Sequence, residues 1–516
     1  NHNLRKILSI MLPKHYQHIL ALAFAVKKIN DNPQILPNIT LGFQIFDNYY
    51  SGKWTYHSTM LLLYTSENFF PNYRCNMEKK LIAVIGGLDS LTSLGMRILL
   101  EIYKIPQYNG ILALLLHFRW IWIGVVVMDN ENGERFVQTV LPMFSQKGIC
   151  LAFLQKIPVV TFISDLLEML HKGEKIYDSM ISSKVTVILV YGESHSMGLF
   201  RFASYLSDED VDSKYRKPLG KLWIFTVQME IVSFGFQRYW DLGIFHGALG
   251  FAFHSNDVPG FQQFIKSRSP STAKEDGFFK GFWEQVFNCW FLGTFIHEEE
   301  ENICTGQEKL ERVPAFFFEM SMSGYSYSIY NAVYAIAYAL HAMFASGFKH
   351  KALVDSGLHI HNQPFCIEEK MTFDEDGNLI AGFDVINFIF SENQTVVKIG
   401  RIDPYSIPDK MLIIKKDAII WSSWFNQPVS LCTPSCFPGS SKQVIEGKPF
   451  CCYACNPCPE GKITEMEGKD RISLLFCCFH KDILLVHYLY MGVYVCMHVP
   501  YIDICTHTHT HTYTPI

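Results

Sequence analysis

Between residues 81 and 226, short apolar runs repeatedly stop at a small or polar turn and give way to a helical pattern. That alternation restricts what the chain can fold into. Residues 81–85 (LIAVI) end at Gly86-Gly87, and Ser90 opens a helix towards Tyr103. Residues 120–128 precede a helical pattern over 133–147. Residues 185–190 end in Tyr191-Gly192 before a helix near 196–206, and residues 222–226 form another run. Strands that are apolar without alternation must be covered on both faces. A β-turn-α rhythm built from them therefore predicts an α/β fold with parallel sheets and helices on both sides.

The pattern extends in both directions. Residues 16–30 place Ile19, Leu20, Ala23, Val26 and Ile29 on one helical face, residues 39–46 alternate as a strand, and residues 331–345 read as a strongly apolar helix. The rhythm then changes. Residues 371–377 read as a turn, and 385–389, 396–399 and 411–414 as short strands. At 516 residues the chain is longer than one core usually supports, so more than one domain is expected. Hydrophobic residues at 49% and charged residues at 18% exclude a disordered chain, and a net charge of -5 with no basic stripe excludes a nucleic-acid partner.

Fifteen cysteines are distributed unevenly, and six of them fall between Cys432 and Cys458. The series Cys432, Cys436, Cys451, Cys452, Cys455, Cys458 contains CxxC spacings that zinc could use. The adjacent Cys451-Cys452 pair and the lack of nearby histidine favour disulfides instead. A disulfide-bearing secreted chain also fits two Asn-x-Thr glycosylation triplets, at Asn38 and Asn393. The chain does not begin with Met and shows no signal peptide, so a missing N-terminal stretch is expected. Residues 506–512 alternate Thr and His, as a CA dinucleotide repeat read in frame would encode. The tail over 464–516 is accordingly expected to be intron-derived or disordered.

Chemistry-bearing motifs are sparse. Gly86-Gly87-Leu88-Asp89-Ser90 could bind an anion at a helix N-terminus or serve simply as a tight turn. Asp129 to Glu134 reads as a ligand-facing or solvated loop at the carboxyl end of a strand, without the ligand spacing of a calcium loop. Glu298 to Glu301 reads as a solvated loop pinned by a local disulfide. Neither GxSxG nor HExxH occurs, so no enzyme and no cofactor is expected.

Longer stretches carry a family resemblance. Tyr16-Gln17-His18 through Asn30 and Leu36-Pro37-Asn38-Ile39-Thr40-Leu41-Gly42 resemble the start of class C G-protein-coupled receptors. Val84 to Ser90, Asn132-Gly133-Glu134-Arg135-Phe136, Ser321 to Tyr334 and Phe450-Cys451-Cys452-Tyr453 resemble vomeronasal type 2 receptors within that class. The resemblance runs from about residue 12 to 463. It implies a two-lobed Venus-flytrap, like a periplasmic binding protein, over residues 1–428. Lobe 1 takes in about 1–118 and 251–372, and lobe 2 about 119–250 and 373–428. A partial cysteine-rich connector follows over 429–463. It also implies that Cys289 and Cys304 pair, and that Cys150 matches the flytrap cysteine that ties to the connector.

The same resemblance implies a chemosensory ligand, peptide or small molecule, and a homo- or heterodimer of receptor chains. Signalling through a G protein would need membrane helices that this chain lacks, and the parent would sit in the plasma membrane of sensory neurons. The alternatives are a secreted decoy or dimer partner that does not signal, or a non-functional pseudogene product. Carried over residue by residue, the ligand-facing candidates are His18, Asn132, Gln228 and Tyr325. Asn132 replaces a tyrosine of relatives. Gln228 stands where relatives often have an acid, which argues against free amino acids as ligand. After Gln107 a few dozen residues of lobe 1 look deleted, a second gap lies near 362–366, and six of the connector's usual nine cysteines remain.

Overall fold

The computed structural model describes residues 12–47, 55, 57, 83–86, 107–158, 166–192, 197, 220–227, 229–231, 242–273, 276–291, 303–349, 382–390, 395–403, 406, 410–422, 426–437 and 439–458, with short stretches at 462–463, 473–474, 483–484, 495–498 and 505–506. The chain divides into two compact units, Asn1–Leu431 and Cys432–Ile516.

In the first unit the elements are α1 (Pro13–Asn30), α2 (Gln107–His117), β1 (Trp122–Met128), α3 (Glu131–Gln146), β2 (Cys150–Ile157), α4 (Leu166–Ser182), β3 (Val187–Tyr191), β4 (Leu222–Phe225), β5 (Leu249–Phe253), α5 (Phe261–Lys266), α6 (Phe279–Phe287), α7 (Gly324–Lys349), β6 (Phe383–Ile389), β7 (Thr395–Ile402) and β8 (Leu412–Ile414). The strands form one sheet in the order β2-β1-β3-β4-β5-β6-β7-β8. Strands β2, β1, β3, β4 and β5 run parallel, and β6, β7 and β8 are added antiparallel. The fold is mixed α/β with a largely parallel central sheet.

The continuous apolar runs bury both faces of this sheet. Ile123, Val125, Val127, Val187, Leu189, Leu222 and Ile224 face a core that includes Ile111, Leu114 and Leu115 of α2 and Phe136, Val140 and Phe144 of α3. The intervening Val126, Ile188, Val190, Trp223 and Phe225 point the other way, into a core shared with Met180 of α4, Phe245, Tyr16 and Leu20 of α1, and Phe282 and Trp283 of α6. Helix α2 packs Ile111, Leu114 and Leu115 against this sheet. A third cluster joins Ala25, Val26 and Ile29 of α1 to Val333, Ala337 and Leu340 of α7.

One difference from the sequence expectation has a physical cause. Residues 39–46 form no strand. The Asn30 side chain meets Leu41 instead, accepting from its N–H (2.9 Å) and donating to its carbonyl (3.0 Å), so that backbone is satisfied without a ladder there. Leu36 and Asn38 in the preceding turn have φ of 51° and 65°, a left-handed geometry that asparagine tolerates and leucine rarely adopts. Strand β2 shows no clear period because it is the sheet edge, with Leu154 exposed and only β1 beside it.

In the second unit β9 (Ser440–Val444) and β10 (Tyr453–Pro457) form an antiparallel hairpin. Disulfides Cys432–Cys452 and Cys436–Cys455 staple it, with Cα–Cα separations of 5.1 and 5.5 Å. Lys442 lies 4.7 Å over the Tyr453 ring. Cys451 is also disulfide-bonded, as is Cys150 of the first unit. Cys458, expected in a disulfide, is instead a free thiol. The bridges engage the five cysteines before it in the cluster, which leaves it no partner among the described residues. Most of residues 464–516, like Asn393 and Glu298 to Glu301, lies outside the described residues.

Candidate functional site

Parallel strands present their carboxyl ends along one edge of the sheet, where α/β folds collect ligand-binding loops. Here that edge carries Asp129 to Asn132 after β1, Gly192 after β3 and Thr226 to Ile231 after β4. The first turns of α1 and α7 approach the segment after β4. Two glycines permit close packing at this edge. A Cβ on Gly192 would stand 2.9 Å from the Met229 Sδ, and one on Gly324 would stand 2.5 Å from the Phe253 carbonyl oxygen.

The start of α1 supplies Lys14, Gln17 and His18 at i, i+3 and i+4, so they share a face. All three are buried. The Gln17 amide satisfies four groups of the segment leading into α7. Its Nε2 donates to the carbonyls of Glu319 and Ser321, both at 2.6 Å. Its Oε1 accepts from the Ser323 N–H (3.0 Å) and the Ser326 hydroxyl (2.7 Å). The side chain therefore acts as a peg that fixes the start of α7 against α1.

The Lys14 ammonium pairs with Glu319 at 2.9 Å on the α7 side and with Glu230 at 3.2 Å on the β4 side. Burial alone would lower its pKa, but the two carboxylates override that and raise it. A second link between helix and sheet is the Tyr325 hydroxyl, which donates to the Val227 carbonyl at 3.3 Å. The Tyr325 ring stands edge-on to Phe253 at 5.0 Å and to His18 at 5.9 Å between centroids.

His18 Nδ1 lies 3.0 Å from the Ser326 Oγ. Since that hydroxyl gives its proton to Gln17, the ring must donate through Nδ1. Burial, helped by the nearby Lys14 charge, pushes the His18 pKa down to about 3 from 6.5. The folded chain thus keeps the imidazole neutral, while the unfolded chain takes up a proton below pH 6.5. Stability contributed by this site is full above that pH and falls as the pH drops towards 3. Between pH 7 and 5 the wild type should lose about 2 kcal/mol that a His18→Asn variant retains. Urea unfolding at both pH values measures the difference, and parallel losses in the two proteins would contradict it.

Of the four ligand-facing candidates, the structure brings together His18 and Tyr325. Gln228 lies outside the described residues, between Val227 and Met229 of this site. Asn132 sits in the first turn of α3, on the same sheet edge but two strand positions from β4, roughly 10 Å across the sheet. The loop around it is occupied locally. The Asn130 Oδ1 caps α3 by accepting from the Gly133 N–H at 2.8 Å, and Lys156 pairs with Glu134 and Asp129. Among the described residues no group of three or more His, Cys, Asp or Glu side chains could hold a metal.

Lys14, Gln17, Thr226, Glu230 and Glu319 were not singled out from sequence. A signal existed for the first two: polar residues on the face of α1 that continues as Ala21 and Ala25. The Cys289–Cys304 disulfide, with a Cα–Cα distance of 5.0 Å, lies at the end of α6. No helix among the described residues is long and apolar enough to cross a membrane.

Comparison with known proteins places this geometry. The family profile described as "Receptor family ligand binding region" matches residues 19–110 and 107–391, two segments that meet where α2 begins. Vomeronasal type-2 receptor 26 of Mus musculus is 31% identical over 89% of this chain and 57% of its own length. The extracellular calcium-sensing receptor of Homo sapiens is 26% identical over 87% of this chain and 47% of its own length. Taste receptor type 1 member 1 of Mus musculus is 24% identical, with shares of 87% and 54%. The chain thus spans about half the length of these relatives, which are receptors and not enzymes. With the profile covering well over half of its residues, the chain belongs to the receptor ligand-binding-region family, among the extracellular regions of class C G-protein-coupled receptors.

Proposed function

We propose that this chain is the ligand-binding ectodomain of a chemosensory receptor, and that its site lies where α1 and α7 meet the carboxyl edge of the sheet. The observation that carries the reading is the convergence of His18 and Tyr325 with the segment after β4, at the sheet edge where folds of this kind bind ligands. A ligand held between the helices and the sheet would favour the closed arrangement by its differential affinity, the only way binding can shift such an equilibrium. The parent receptor would act as a dimer and pass the closure to a G protein through membrane helices outside this chain.

Thermal unfolding of the secreted chain with size-fractionated peptides from glandular secretions tests the reading. At least one fraction should raise the midpoint, and a Tyr325→Ala variant should lose the response. No shift with any fraction overturns it. Secretion also exposes Asn38 to glycosylation: the residue is exposed in a left-handed turn and starts an Asn-x-Thr triplet. Treatment with a peptide N-glycosidase should increase electrophoretic mobility by a step that Asn38→Gln reduces. Equal steps would show that Asn38 carries no glycan.

A further inference from the structure

The last turns of α1, the short α5 and the first turns of α7 border a cavity of about 730 Å³. That size falls within the range of about 300–1,000 Å³ usual for small-molecule sites. The cavity is separate from the sheet edge, since roughly 14 Å of helix divides Lys27, which lines it, from His18.

Its wall is aromatic. The Phe24 ring stacks on Tyr330 at 6.2 Å and lies 5.3 Å from Phe264, and Tyr330 lies 4.8 Å from Tyr334. These rings offer a run of flat faces against which a planar body can pack. Its mouth is cationic. Lys27 and Lys28 are exposed, and neither has a carboxylate within ion-pair distance among the described residues. The Lys28 ammonium stands 5.6 Å over the Phe24 ring, where charge and aromatic wall meet. Two lysines against the one carboxylate of the described lining, Asp31, leave the mouth net positive. Lysines in a last turn suit the negative end of the helix dipole, which accounts for their sign. It does not account for the stacked rings directly beside them.

We infer that this cavity binds an amphipathic organic anion: a planar, multi-ring body packed on Phe24, Phe264, Tyr330 and Tyr334, with its oxyanion group held by Lys27 and Lys28. An ammonium is a point charge without the fork of a guanidinium, so the site selects the sign of the charge and not the shape of the oxyanion. The inference does not depend on the sheet-edge site.

The test is fluorescence anisotropy and calorimetry on the secreted chain with three probes that share one ring system: pyrenecarboxylate, pyrenemethanol and pyrenemethylammonium. The carboxylate should bind about tenfold tighter than the alcohol, the worth of two partly screened ion pairs, and the ammonium should bind weakest. High salt should narrow the gap between carboxylate and alcohol. Acetate, which has the charge without the rings, should not displace pyrenecarboxylate. The double variant Lys27→Gln/Lys28→Gln should bring the carboxylate down to the affinity of the alcohol and leave the alcohol unchanged. Gln263 is an exposed residue of α5 that lines the cavity, so Gln263→Trp should fill space there and weaken both probes while the thermal midpoint holds.

Equal affinity of the three pyrenes overturns the inference, as does absence of pyrenecarboxylate binding. Binding that ignores both the lysine pair and Gln263→Trp also overturns it, and would place the probe elsewhere on the chain.

Discussion

Replacing Gln17 with leucine should lower the stability of the first unit by about 3–5 kcal/mol, since each buried polar group left unpaired costs about 1–3 kcal/mol. Leucine matches the size of glutamine but can make none of its four hydrogen bonds. Two carbonyls, the Ser323 N–H and the Ser326 hydroxyl would lose their partner at once. The His18 ring would be affected too, because its own bond to Ser326 depends on that hydroxyl pointing at Gln17. Equilibrium unfolding in urea reads the loss. Hydrogen exchange should show it concentrated at residues 319–326 and the first turns of α1. A loss under 1 kcal/mol would mean that the start of α7 is held by its apolar packing instead.

The second large effect is expected at Trp223. Truncation to alanine should cost about 3–5 kcal/mol, the range for large aromatic side chains removed from a core. Trp223 is 1% exposed on β4, with its indole N–H donating to the Ile244 carbonyl at 3.0 Å and its ring 6.1 Å edge-on from Phe245. It sits on the sheet face whose core also takes in α1 and α6. Its loss should therefore loosen helix packing as well as the strand. Trp223→Phe keeps most of the apolar area and should recover more than half of the loss. An alanine variant that melts like the wild type would show that this face does not hold the sheet to the helices.

The sequence was informative where burial is simple. β1, β3 and β4 are apolar on both sides and read as strands at once, whereas β2 has a single neighbour and carries Gln155 and Lys156 ahead of its last residue, so its signal is diluted. Residues 39–46 have a strand's alternation without a strand's partner, because Asn30 takes the place of the ladder at Leu41. At the candidate site, resemblance put forward His18 and Tyr325, whose rings stand 5.9 Å apart. Lys14 and Glu230 escaped because a charge in a sequence reads as solvated until its counter-charge, more than 200 residues away, is seen beside it. The free thiol of Cys458 escaped for a similar reason, since pairing is a property of space and not of spacing.

The position of α2 bears on how such a chain can change over time. The two family matches meet at its first turn, and α2 packs Ile111, Leu114 and Leu115 into the sheet that follows it. A segment lost just after Gln107 would therefore fall at a seam, and the sheet would keep its covering helix. Half of a binding cleft can then be rewritten while the other half still folds, which turns a deletion from a lethal lesion into raw material for a different specificity.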